Sequence, residues 1–92
     1  MNLEDLKKQT IDPAYQLIYQ ALIADAAGNW ERAHQFAQED HSQLGSWMHA
    51  YLHRKEGDLG NTRYWYSQSG RLPYAGSLEE EWQTIALACL AK

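Results

Sequence analysis

Two turns of the same make restrict how this chain can fold. Gly28-Asn29 and Gly57-Asp58 lie 29 residues apart. Gly suits the left-handed residue that ends a helix, and Asn or Asp accepts the first free N–H groups of the next one. Before and after each turn, apolar residues recur three and four apart, the spacing of a helix with one buried face. A chain punctuated this way folds as consecutive helices that double back on each other. The second turn is the richer one. It sits inside W-M-H-A-Y-L-H-R-K-E-G-D-L-G-N-T-R-Y-W-Y-S-Q-S-G, Trp47 to Gly70, which holds two of the four Trp and two of the four His.

Asp12-Pro13 opens the first long helix, since Asp can cap and Pro fits the first turn without losing a bond. That helix runs to about Ala27 with Tyr15, Ile18, Tyr19, Leu22, Ile23 and Ala26 on its stripe. The spacing predicts a second helix over Trp30–Glu39, where Trp30, Ala33 and Ala37 face inward and His34 and Phe36 flank them. Asp40 or Ser42 can cap a third, Gln43–Glu56, built on Leu44, Trp47, Met48, Tyr51 and Leu52. A fourth spans Leu59–Ser69 with Tyr64, Trp65 and Tyr66. The segment 70–76 reads as a loop from its two Gly and one Pro. Ser77 and Glu80 have capping-box spacing, and Glu79, Glu80 and Glu81 put negative charge at the positive end of a fifth helix reaching about Ala91. Residues 1–11 are a polar lead in which Leu3 and Leu6 suggest a short docked turn. No strand alternation persists. The expectation is an all-α domain of about five helices, residues 1–92, with hairpins at 14–39 and 43–69 and a capping helix at 77–91.

A net charge of −4 disfavours nucleic acid, whose binders carry a basic excess. No segment approaches the roughly 18 apolar residues of a spanning helix, so no membrane partner is expected. Cys89 is alone, which rules out an intrachain disulfide and leaves it as a small core residue. The charged start M-N-L-E-D-L-K-K has no apolar signal region, and the cytoplasm is the expected location.

The two turns anchor an internal repeat. Ala21, Gly28, Asn29, Trp30, Ala33 and Ala37 correspond to Ala50, Gly57, Asp58, Leu59, Thr62 and Tyr66. This pattern resembles the tetratricopeptide class of helical hairpins over residues 14–70. The resemblance implies stacked hairpins whose first helices line a concave, partner-binding side, which would place Trp47, Tyr51, Arg54 and Lys55 there. It departs from that class in its 29-residue period, shorter than the usual 34 or so. Thr62 also replaces the usual Ala, and His49 and His53 stand where apolar residues are normal. The string H-A-Y-L-H-R-K-E-G-D-x-x-N-x-x-Y-W-Y is also similar to one in small microbial helical proteins, a likeness that brings no function with it.

Three constellations could carry chemistry. His49 and His53 are four apart, on one helix face about 6 Å from each other, and Glu56 continues that face. The spacing suits two ligands of one metal, with Glu39, Asp40 or His41 as further candidates. Two visible ligands fall short of the three or four a site needs, so no metal and no cofactor is assigned. Arg54, Glu56, Asp58, Asn61 and Arg63 crowd the second turn, as an anion pocket or as a capping network. Tyr64, Trp65 and Tyr66 point three ways, and with Trp47 and Tyr51 they offer an aromatic face of the kind found at binding hot spots. There is no phosphate loop, nucleophile elbow or Cys-His pair, which argues against an enzyme.

The first reading is therefore a non-enzymatic module binding a peptide segment or its own copy. Its binding residues would be Trp47, His49, Tyr51, His53, Arg54, Lys55, Glu56, Tyr64 and Trp65. The alternative is a small-ligand or metal-binding protein, an enzyme included, centred on His49, His53, Arg54, Glu56 and Tyr64. The two differ in what they require. An interaction face needs its aromatics and Arg54 open to solvent, whereas a ligand site needs His49 and His53 to meet a third polar group.

Overall fold

A computed structural model describes residues 1–91. The chain is all-α, with six helices among the described residues: α1 (Leu3–Lys7), α2 (Gln16–Ala26), α3 (Trp30–Glu39), α4 (Gln43–Glu56), α5 (Leu59–Ser69) and α6 (Leu78–Ala88). The extra helix is the polar lead itself. Asn2 and Asp5 cap it reciprocally, and it is docked by Leu6, which is fully buried.

The punctuation works as the sequence predicts. Gly28 and Gly57 adopt φ of +82° and +84°, where a side chain would be strained. Asn29 accepts from the Arg32 amide and Asp58 from the Asn61 amide, so each turn stops one helix and caps the next. Ahead of α2, Asp12 caps a 3-10 turn over Pro13–Tyr15 rather than the α-helix directly. Of the two candidate caps for α4, Ser42 takes the role, accepting from the Gly45 amide. Asp40 Oδ1 in turn accepts from the Ser42 amide. Gly45 is fixed by this corner, because a Cβ there would run into the Asp40 carbonyl.

α2 packs on α3 and α4 on α5, while α3 lies against α4, so the two hairpins stack in sequence order. Small residues at the seams, Ala21, Ala33, Ala37 and Ala50, let the backbones approach, and Ile18, Leu22, Met48, Leu52, Tyr66 and Ile85 fill the core between them. α6 does not extend the stack. It packs across α4 and α2, the first helices of both hairpins. It also ends at Ala88, earlier than its apolar pattern predicts. There the chain pairs with the lead, as the Asp12 amide donates to the Cys89 carbonyl and the Ala91 amide to that of Thr10. Ile11 and Leu90 form an isolated antiparallel bridge, a tertiary pairing that local periodicity does not reveal.

The position of α6 corrects the expectation of an open concave face. Trp47 and Tyr51 are 1% and 3% exposed. Glu81, at 0% exposure, reaches in from α6 and accepts from Trp47 Nε1 at 2.9 Å, from Arg54 Nη1 at 2.8 Å and from the Tyr66 hydroxyl. Arg54 also donates to the Gly76 carbonyl. Asp25, buried at the end of α2, accepts from the Tyr51 hydroxyl at 2.7 Å and from Lys55 Nζ at 2.9 Å. A charge taken out of water is tolerated when it is paired and its oxygens are hydrogen-bonded. Both carboxylates meet that condition, and they spend four of the nine predicted binding residues in doing so.

Candidate functional site

The opposite side of α4 is different. At 100° per residue, His49 and His53 point away from Trp47, Tyr51 and Arg54, and they meet the hairpin seam. There they join a third imidazole. His34, on α3, places its Nε2 at 2.8 Å from His49 Nε2. One ligand-capable atom from each of His34, His49 and His53 lies within 4.8 Å of those of the other two.

Aromatic rings enclose the trio. His49 lies between Trp65, stacked at 3.8 Å, and His53, stacked at 4.9 Å. Trp30 stacks on His34 at 4.9 Å and anchors itself by donating from Nε1 to the Leu52 carbonyl. His49 and His53 are buried, and His34 is half-buried. His53 Nδ1 is 2.7 Å from Glu56 Oε1.

Burial sets the protonation of His34 and His49. Desolvation, then the neighbouring His34 and His53, push the His49 pKa down to about 3. The His34 pKa is also lowered, first by burial and then by His53, with Glu56 and Glu31 opposing. A neutral imidazole has one nitrogen free to accept or to ligate. At neutral pH, His49 is in the form that metal binding requires. In the His34–His49 contact one Nε2 donates and the other accepts, so the pair satisfies itself.

The donor set fits a borderline metal ion. Imidazole nitrogens suit Zn, Cu, Fe and Ni. A tetrahedral zinc with bonds near 2.0–2.1 Å would hold its nitrogens about 3.3 Å apart, so the His34–His49 contact would open by about half an ångström on that geometry. A second group, His53, Glu56 and Asp58, is also close enough to ligate. Both Asp58 oxygens are already engaged by Asn61, one by its backbone and one by its side chain, in capping α5. The imidazole trio is the better candidate.

The other predicted residues disperse. Arg54 and Lys55 serve the buried carboxylates. Trp65 walls the trio. Tyr64 is 53% exposed and meets Trp65 edge-on. The polar crowd at the second turn forms no single pocket: Arg54 goes to Glu81, Glu56 to His53, and Asp58 to Asn61. Neither Glu39, Asp40 nor His41 joins the trio among the described residues; His34 does.

His34, Glu81 and Asp25 were the residues that sequence reasoning missed, and one signal covers all three. Each occupies an apolar-stripe position: His34 beside Trp30, Ala33 and Ala37, Glu81 beside Leu78, Trp82 and Ile85, and Asp25 beside Ile18, Ala21 and Leu22. A polar residue in a stripe is buried with its helix. No known protein family, curated protein or solved structure matches the chain. The tetratricopeptide likeness stands on its residues alone.

Proposed function

We propose that this protein binds a transition-metal ion, with zinc the reference case, through His34, His49 and His53. The observation that carries this is the convergence of three ligand-capable imidazole atoms from two helices within 4.8 Å. Glu56 on His53 Nδ1 supports it, being the carboxylate partner that metal-binding imidazoles commonly have. Three protein ligands would leave a fourth position for water or a small exogenous ligand. A peptide-docking role for Trp47, Tyr51 and Arg54 would require α6 to leave α4 and expose Glu81, which makes it the less economical reading.

The test is a titration of chelator-treated protein with Zn2+ by calorimetry, alongside thermal unfolding. One ion per chain is expected. With free ion at 100 times Kd, binding to the folded state adds about 2.7 kcal/mol, which in a domain of this size raises Tm by about 10–20 °C. His34→Ala, altering the most accessible of the three, should remain helical by circular dichroism and lose the ion. Wild-type protein that takes up no zinc at millimolar concentration would end the proposal.

A further inference from the structure

The position of Glu56 raises a question that the fold alone does not answer. It is the last residue of α4, where the negative end of the helix dipole disfavours a carboxylate. Arg54 and Lys55, the two preceding cations, both reach elsewhere, to Glu81 and Asp25. Asp58, the nearest other acid in the chain, is occupied by Asn61. The one hydrogen-bond partner of the Glu56 side chain among the described residues is His53 Nδ1, at 2.7 Å. A capping role is not available to it either, since Gly57 ends α4 through its own backbone bonds to the Arg54 and His53 carbonyls.

We infer that Glu56 is a positioning residue of the metal site: it holds the Nδ1–H of His53, fixes the ring, and leaves Nε2 as the ligand atom. This rests on the metal-binding reading above. The chemistry is that of an imidazole with two inequivalent nitrogens. A carboxylate that accepts from one of them selects the tautomer in which the other has a free lone pair, and raises its basicity as a ligand. His34 and His49 face each other through Nε2; an ion drawn to that contact takes its place as the proton on one Nε2 shifts to the Nδ1 of the same ring, and it needs the third donor presented with its lone pair free. Stacking against His49, at 4.9 Å and 22° between planes, sets the plane of the His53 ring. Glu56 on Nδ1 sets which edge of the ring faces it and which nitrogen carries the proton.

The experiment compares wild type, Glu56→Gln and Glu56→Ala, all chelator-treated, by titration with Co2+ followed in its visible absorption band and by competition with Zn2+. Because the Glu56 side chain is 38% exposed at a helix end, all three should be equally helical. Glu56→Ala is expected to bind one ion 10–100-fold more weakly, the usual effect of losing such a partner. Glu56→Gln retains an acceptor and should recover most of that affinity. Nitrogen-15 spectra of the metal-free proteins should show His53 protonated at Nδ1 in wild type and in a mixture of tautomers in Glu56→Ala. If wild type binds and Glu56→Ala binds within twofold of it, the inference fails while the site stands. A Glu56→Gln protein as weak as Glu56→Ala, or an unchanged His53 tautomer in Glu56→Ala, would also overturn it. Failure of wild type to bind either ion would instead remove the metal reading beneath it.

Discussion

Helix α4 carries two polar clusters on opposite faces, and they solve the problem of burial differently. Toward α6 and α2, buried Glu81 and Asp25 are ionic acceptors with designated donors: Arg54, Trp47 and Tyr66 for one, Lys55 and Tyr51 for the other. Both tyrosine hydroxyls are held well above their usual pKa, by burial first and then by the carboxylate each serves, so they remain donors. Toward α3 and α5, the three imidazoles have no such division of labour. His34 and His49 satisfy each other, and burial holds both toward the neutral form. The first cluster has one stable arrangement and reads as structure. The second pairs two neutral imidazoles with each other, an arrangement an ion could replace, which is why the proposed function is placed there.

The sharpest way to break this comparison is to remove an acceptor from the ionic side. Glu81→Ala strands an indole N–H and a phenol and leaves the Arg54 guanidinium with the Gly76 carbonyl alone; a broken buried pair costs about 3–5 kcal/mol, and the 26% exposure of the Arg54 side chain puts the expected loss at the lower end, about 3 kcal/mol. Urea denaturation at neutral pH measures it. A loss below about 1 kcal/mol, typical of an exposed pair, would mean that the Glu81 network contributes little.

On the imidazole side, acid is the probe. The His49 pKa is depressed in the folded chain relative to 6.5, so the unfolded chain binds the proton more readily. Its contribution to stability is therefore full above pH 6.5 and declines as the pH falls toward about 3. His34 acts in the same direction. In chelator-treated protein, wild type should lose stability between pH 7 and 4 more steeply than His49→Phe, which keeps a ring but cannot titrate. Parallel curves would show that His49 is not held neutral by the fold.

The smallest effect should come from Lys55→Ala. Its side chain is 42% exposed, and Tyr51 still serves Asp25. A cost under about 1 kcal/mol that shrinks in high salt is expected. A cost equal to that of Glu81→Ala would erase the distinction between the two carboxylates.

Much of the fold was legible because it is written in short-range chemistry. The bounds of α3, α4 and α5 follow from Asn29, Ser42, Gly57, Asp58 and Gly70, whose roles depend on neighbours within a few residues. The placement of α6 was not legible. Glu79, Glu80 and Glu81 look alike as charges at a helix start, and only the rotation of α6 on α4 singles out Glu81 for burial. The candidate site was half legible for the same reason. His49 and His53 share a face by spacing alone, whereas His34 reaches them only because α3 stacks on α4, a contact between hairpins that no single-helix pattern contains.

The four indoles are split between the two sides of α4. Trp47 and Trp82 are tied into the interior, donating to Glu81 and to the Leu22 carbonyl. Trp30 and Trp65 instead lie flat on His34 and His49, at interplanar angles of 11° and 12°. An indole's emission depends on the charge and polarity of whatever touches its ring. Light from one pair therefore follows the integrity of the interior, and light from the other follows what sits on the imidazoles. The unlabelled chain thus contains both a gauge of its candidate site and an internal reference for it.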